Sequence, residues 1–284
     1  MPENHRQREL AMSQASDRIY VSPGEAWAIE PSRLLGGPEA YFFLFGPTIK
    51  ETERIGDVAV VYLNGPLDHH AGEGCGDSYE ALLDRFDTAV DGGEAGPPKA
   101  VVIKVDSPGG KVSGLNATCA RIKSTARELG IKLYSYPNEM AASAAYALSC
   151  ACDEIIVPDS AIVGSIGVIS TLVDVTRMDR QDGVRFEFIT SGQRKTDGHP
   201  HAAINAGAIA AERRRVDILA QQFFSMVKEA RGLSIGTIMG FQAGIFLGKQ
   251  AVDAGLADDC MSWEDCLAYI KTATNRSRVA KKSK

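Results

Sequence analysis

The sequence predicts an α/β fold: a parallel sheet flanked by helices, preceded by an N-terminal arm. Two short runs, Val58–Leu63 and Ala100–Val105, are almost wholly apolar and β-branched, as strands buried on both faces are. Segments with helical spacing of apolar residues fall between these and later strand-like runs. Strand and helix alternate at short intervals, the pattern of a parallel sheet covered by helices. At 284 residues the chain is long enough to bury a full core.

Residues 1 to about 20 are polar and aperiodic. An aromatic stretch, Trp27 to Phe45, follows, broken by Gly36-Gly37-Pro38 and by Gly46-Pro47. Its apolar side chains need a partner surface, so residues 1–54 are expected to form an arm or subdomain for oligomerisation, with another subunit as the candidate surface. From Asp57 the pattern changes. The strand Val58–Leu63 ends at Asn64-Gly65-Pro66. Ser78 is placed to cap a helix whose apolar positions Tyr79, Leu82, Leu83, Phe86 and Val90 share one face. The strand Ala100–Val105 runs into Asp106-Ser-Pro-Gly-Gly110, and a helix is expected from Ser113 to Leu129. Then come a strand at Lys132–Tyr136, a helix at Ala142–Cys150 and a strand at Glu154–Val157. Further strands are predicted at Ile166–Ser170 and Phe186–Thr190, and a long amphipathic helix at Ala206–Arg231. Residues 271–284, ending Lys281-Lys-Ser-Lys284, read as a basic, solvated tail.

Composition narrows the function. A formal net charge of -5 argues against a nucleic-acid surface, which needs the opposite sign. No stretch approaches the roughly 18 apolar residues of a membrane span, and the polar start MPENHRQRELAMSQ is no secretory signal. A cytoplasmic protein with no nucleic-acid or membrane partner is expected. The cysteines at 75, 119, 150, 152, 260 and 266 show neither zinc nor redox spacing; Cys150 and Cys152 read as small buried hydrophobes. No metal or cofactor is expected.

Two segments carry candidate chemistry. In Asp106-Ser-Pro-Gly-Gly110, two glycines leave backbone N–H groups unobstructed at a strand-to-helix turn, suited to an oxyanion or a phosphate, or to a plain turn. Absence of any GxGxxG or GxxxxGK[ST] pattern makes nucleotide the weaker choice. In Met140-Ala-Ala-Ser143-Ala-Ala-Tyr146, one hydroxyl stands among small side chains at a helix start, as a cap or as a nucleophile. A nucleophile needs a base, and none of the five histidines falls 20 to 30 residues after Ser143, where a ClpP-type histidine would lie. Lys195, in a glycine-bounded loop, is either a solvated lysine or a base. As a base its amine must be neutral, which demands burial away from water and carboxylates.

These segments together resemble peptidase family S49, which includes signal peptide peptidases and head-maturation proteases of tailed phages. The resemblance spans roughly Asp57 to Ala268. It rests on Val105-Asp-Ser-Pro-Gly-Gly110, Met140 to Tyr146 and Gly164-Ser-Ile-Gly-Val168 in order, with Lys195 lying 195 - 143 = 52 residues beyond Ser143. It is strongest with the phage branch, through Lys195-Thr-Asp-Gly-His-Pro200 and Gly248-Lys-Gln-Ala-Val-Asp-Ala-Gly-Leu-Ala-Asp258. It implies a ClpP/crotonase-like peptidase domain over 55–270, a Ser143–Lys195 dyad and a Ser165 hydroxyl orienting the lysine. It also implies an oxyanion hole from the N–H groups of Gly110 and Ala144, with Gly109 shaping the turn. One departure is that Ala144 and Ala145 stand where glycines are common in the family, which bears on the width of the groove. The implied partners are peptide or protein substrates, among them phage scaffold or capsid proteins, and further copies of the chain in a homo-oligomer. Competing readings are a peptidase of signal-peptide remnants, a crotonase-type acyl-CoA thioester enzyme and an inactive assembly subunit.

Overall fold

The computed structural model describes residues 26–29, 51–70 and 76–282. The first 25 residues, most of the aromatic stretch and Cys75 lie outside them. In chain order the strands are β1 (Ala26–Ile29), β2 (Thr52–Ile55), β3 (Val58–Asn64), β4 (Leu67–Asp68), β5 (Asp77–Ser78), β6 (Ala100–Ser107), β7 (Gly109–Lys111), β8 (Lys132–Ala142), β9 (Glu154–Val157), β10 (Ile162–Gly164), β11 (Ile169–Ser170), β12 (Ile245–Leu247) and β13 (Asp259–Cys260). The helices are α1 (Tyr79–Asp91), α2 (Leu115–Leu129), α3 (Ala144–Ser149), α4 (Thr176–Gln181), α5 (Ala206–Arg231), α6 (Ile235–Gly240), α7 (Gly248–Asp253) and α8 (Trp263–Lys282).

The main sheet has the order β12-β10-β8-β6-β3-β2, with β9 also paired to β8. Its centre is parallel: β3 with β6, β6 with β8, and β8 with β10. Both outer pairs, β2 with β3 and β10 with β12, are antiparallel. Alternation along the strands sends residues to two cores. Ala59, Val61, Leu63, Val101, Ile103 and Val105 face α1, α2 and α3, whereas Val58, Ala100, Val102, Tyr134 and Tyr136 face Cys266 and Ile270 of α8. Both faces of the sheet are thus covered, which is why its strands read as unbroken apolar runs.

Helix signals were accurate where a side chain fixes the end. The Ser78 hydroxyl accepts the Ala81 N–H at the start of α1, and Gly92, in the left-handed region, closes it. Other boundaries moved. The strand expected at Lys132–Tyr136 continues to Ala142, because β10 pairs with its far half. The strand expected at Ile166–Ser170 is instead β10 followed by the two-residue β11; Gly164 (φ 115°) and Ser165 (φ 52°) break the extended chain between them. The strand expected at Phe186–Thr190 does not form. No neighbouring strand lies beside it among the described residues, and Val184, Phe186, Phe188 and Ile189 are exposed, Ile189 at 96%. The segment expected to be a tail from residue 271 is helical to Lys282 within α8. At the other end, Thr52–Ile55 joins the sheet edge through β3.

An ion pair within the C-terminal part also ties it to strand β9. Arg231, at the end of α5, donates from both terminal nitrogens to Asp258 (2.8 and 2.9 Å), and Asp258 also accepts the Ile155 N–H (2.7 Å). Partial burial pushes the Asp258 carboxyl up, but these donors outweigh it and hold it below the usual carboxylate range. Because the folded-state value is the lower one, this stabilisation is present above about pH 4, the unfolded value, and fades as pH falls through the folded value. Asp258→Ala leaves a nearly buried guanidinium unpaired and is expected to lower unfolding free energy by roughly 2 kcal/mol, read from urea melts at pH 7. The difference from wild type should shrink in acid.

Candidate active site

The chemistry-bearing residues stand at the carboxyl ends of three adjacent parallel strands, where open α/β sheets place their sites. Along these strands Ser107 pairs with Ala141, and Ala142 pairs with Gly164. The residues that follow, the Gly109-Gly110 turn, Ser143 and Ser165, are therefore neighbours.

The turn after β6 is built for close backbone approach. The Ser107 hydroxyl accepts the Gly109 N–H (3.1 Å), and Gly109 takes φ 98°, which glycine adopts without strain. At Gly110 a Cβ would lie 1.9 Å from the Leu67 carbonyl oxygen, because β4 crosses there. Gly110→Ala must displace that backbone. It is expected to cost about 2 kcal/mol or more and to abolish any activity that depends on the turn, as read by thermal melt and peptide assay. Strand β7 then packs against α3, bringing the turn to the helix that begins beside Ser143.

Ser143 joins β8 to α3 in a conformation rare for a residue with a side chain, φ 54° and ψ -117°. It sits at the N-cap position, yet its hydroxyl makes no capping hydrogen bond. The capping role weighed from sequence is therefore not the one it plays. Its N–H donates to Gly164 O (2.8 Å), its carbonyl accepts from Ala147 (3.0 Å), and Oγ points at Gly167 O, 3.4 Å away. The residue is 1% exposed. Holding a serine here costs on the order of 1–3 kcal/mol, and such strain concentrates at working sites. A sharp strand-to-helix turn that frees a serine hydroxyl is the geometry of a nucleophile elbow. Ala144 and Ala145 follow it fully buried, with the Ala144 N–H in the unsatisfied first turn of α3. Helix α3 is anchored by the Tyr146 hydroxyl, which donates to Leu256 O (2.8 Å); burial pushes that phenol well above its ordinary range.

Ser165 is buried beside Ser143, held by its N–H donating to Gly244 O (2.9 Å), and its hydroxyl has no partner among the described residues. Lys195 is not brought into the group. It lies in a turn, exposed, with its N–H donating to Gly192 O (3.0 Å) and its side chain in no ion pair among the described residues. The segment around it is braced elsewhere. His201 Nδ1 bonds Asp179 of α4 (2.9 Å) while its ring stacks on Phe186 (4.0 Å), and His199 meets Phe188 edge-on.

Sequence reasoning missed the neighbour on the other side of the turn. Strand β1 runs antiparallel to β7, pairing Ile29 with Gly109 and Ala28 with Gly110, and on its far side runs antiparallel to β11. Trp27 had been marked only as part of an apolar stretch in want of a surface. No group of metal-ligating side chains occurs among the described residues, and no helix there is long and apolar enough to cross a membrane.

The family model for peptidase family S49 matches residues 125–277, more than half of the chain. The head-tail preconnector protein GP5 of Enterobacteria phage P21 is 32% identical over 177 residues, covering 62% of this chain and 35% of that protein. The capsid assembly protease C of Escherichia phage lambda is 29% identical over 182 residues, 63% of this chain and 41% of that one. A putative signal peptide peptidase SppA of Enterococcus faecium is 28% identical over 174 residues, 61% and 50% respectively. The chain thus spans between about a third and a half of the length of these relatives. From the family match, and in keeping with the order of its motifs, the chain belongs to peptidase family S49.

Proposed function

We propose that this chain is a serine endopeptidase on a ClpP/crotonase-like fold, its peptidase domain spanning 55–270, with Ser143 as nucleophile and Lys195 as general base. The observation that carries the reading is the Ser143 elbow: a buried serine whose hydroxyl makes no capping bond to its helix and whose backbone is strained, beside the Gly109-Gly110 turn. Ser143 Oγ attacks the scissile carbonyl as Lys195 Nζ takes its proton. The oxyanion rests on the N–H groups of Gly110 and Ala144, and Gly109 sets the turn. The lysine then protonates the leaving amine, and water hydrolyses the acyl-enzyme. To Ser165 Oγ falls the role of orienting the amine.

Lys195 is exposed in a single chain, and a solvated ammonium is no base. Its cover must come from a second copy, in a homo-oligomer where one subunit's lysine loop meets its neighbour's serine. The exposed apolar residues Val184, Phe186 and Ile189 on the lysine-bearing segment, and Ile209 and Ile218 on α5, supply surface for such a contact.

As substrates we take scaffold or capsid proteins, acted on in a prohead or the host cytoplasm; the support is that a relative carries the name capsid assembly protease. Incubating the purified chain alone and with a scaffold protein, read by intact mass, tests this. New fragments are expected with wild type and none with Ser143→Ala; identical fragments from both would refute the assignment.

A further inference from the structure

Ser143 lies between two strand edges. On one side β7 leaves the Gly109-Gly110 turn; on the other, β11 follows the loop whose Gly167 carbonyl faces Ser143 Oγ. An extended peptide reaching this serine has to pass along these edges, taking main-chain hydrogen bonds from each. That slot is filled by the chain itself. In the sheet order β11-β1-β7-β4-β5, the segment Ala26–Ile29 stands between the two edges, antiparallel to both. Its register is Ala26 with Ser170 and Trp27 with Ile169 on one side, and Trp27 with Lys111, Ala28 with Gly110 and Ile29 with Gly109 on the other. Its direction carries it from Lys111 toward the glycines of the turn, so Ala28 and Ile29 lie beside Gly110 and Gly109. Elsewhere in the described chain, β7 has only β4 as a partner and β11 has none.

We infer that the slot between β7 and β11 is a binding site for an extended peptide, and that the chain's own segment Ala26–Ile29 is its resident ligand, which any other peptide must displace. The inference builds on the reading of Ser143 as nucleophile for its kinetic consequence, and on backbone pairing alone for its binding consequence. A tethered segment competes at an effective concentration of order millimolar, so a peptide offered in solution should bind on the order of tenfold more weakly than it would to an empty slot.

The test uses the full chain carrying Ser143→Ala, with Ala28→Pro or Trp27→Pro added. Proline removes an amide donor from the ladder, and neighbouring amides of a strand point to opposite edges, so the two variants probe the two sides. A fluorescent peptide of residues 22–33 is titrated into each by anisotropy. Its affinity is expected to rise about tenfold in the proline variants, and hydrogen exchange at Lys111 and Ile169 to quicken. Equal affinity in parent and variants, or no binding to any of them, overturns the inference. In the Ser143 background, Ala28→Pro should lower KM for a peptide substrate and leave kcat unchanged. Should Ser143→Ala itself still hydrolyse peptides, the nucleophile assignment falls, while the anisotropy and exchange results continue to decide who occupies the slot.

Discussion

Ser143→Gly is expected to make the protein more stable and catalytically dead. Glycine adopts φ 54° freely, so the substitution releases strain on the order of 1–3 kcal/mol. Glycine's extra freedom in the unfolded chain takes back roughly 0.5–1 kcal/mol, and the long 3.4 Å contact from Oγ to Gly167 O contributes little. The balance favours the folded state by about 1 kcal/mol, or a melting temperature some 2–4 °C higher for a domain of this size. Peptide hydrolysis should fall by a factor on the order of 10⁴ or more, the usual result of deleting a serine nucleophile. Ser143→Ala separates the two effects: it removes the hydroxyl and keeps the Cβ, so activity is lost without the gain in stability. A glycine variant that melts lower than wild type and still cleaves would contradict both halves of the argument.

Lys195→Ala should likewise abolish hydrolysis, yet mixing the two dead proteins should restore part of it. When the lysine of one copy serves the serine of another, a mixed oligomer contains sites that pair an intact Ser143 from a Lys195→Ala chain with an intact Lys195 from a Ser143→Ala chain. After complete subunit exchange of an equimolar mixture, about a quarter of the sites are whole. Recovered activity of that order, absent from either protein alone, is the expected result. An active wild-type enzyme whose two variants never complement would place the lysine in its own subunit's site or remove it from the chemistry.

What the sequence revealed and what it hid divide along physical lines. Val58–Leu63 and Ala100–Val105 were legible because burial on both faces leaves no polar residue to blur the signal. The turn at Gly109-Gly110 and the position of Ser143 were legible because glycines and small residues mark where the backbone must bend or come close. The expected strand at Phe186–Thr190 failed because alternating apolar residues look the same whether or not a neighbour exists to pair with them, and among the described residues none does. Strand β10 was passed over because its three residues end in Gly164 and Ser165, which read as a loop. The spacing of Lys195 from Ser143 was visible, whereas its exposure in the folded single chain was not, since spacing along a sequence says nothing of what surrounds a side chain.

The main sheet also bears on how the protein is made. From β2 through β3, β6, β8 and β10 to β12, each strand lies beside the one that precedes it in the path and is added at an outer edge. As the polypeptide leaves the ribosome, every newly emerged strand finds its predecessor already in place, and none has to be wedged between two others. The smaller sheet breaks this order. Its member at Ala26–Ile29 is translated well before one of its two flanks, Ile169–Ser170, which follows some 140 residues later. That strand therefore waits for its second flank before its berth is complete, and the smaller sheet closes around it only after the main sheet has largely been made.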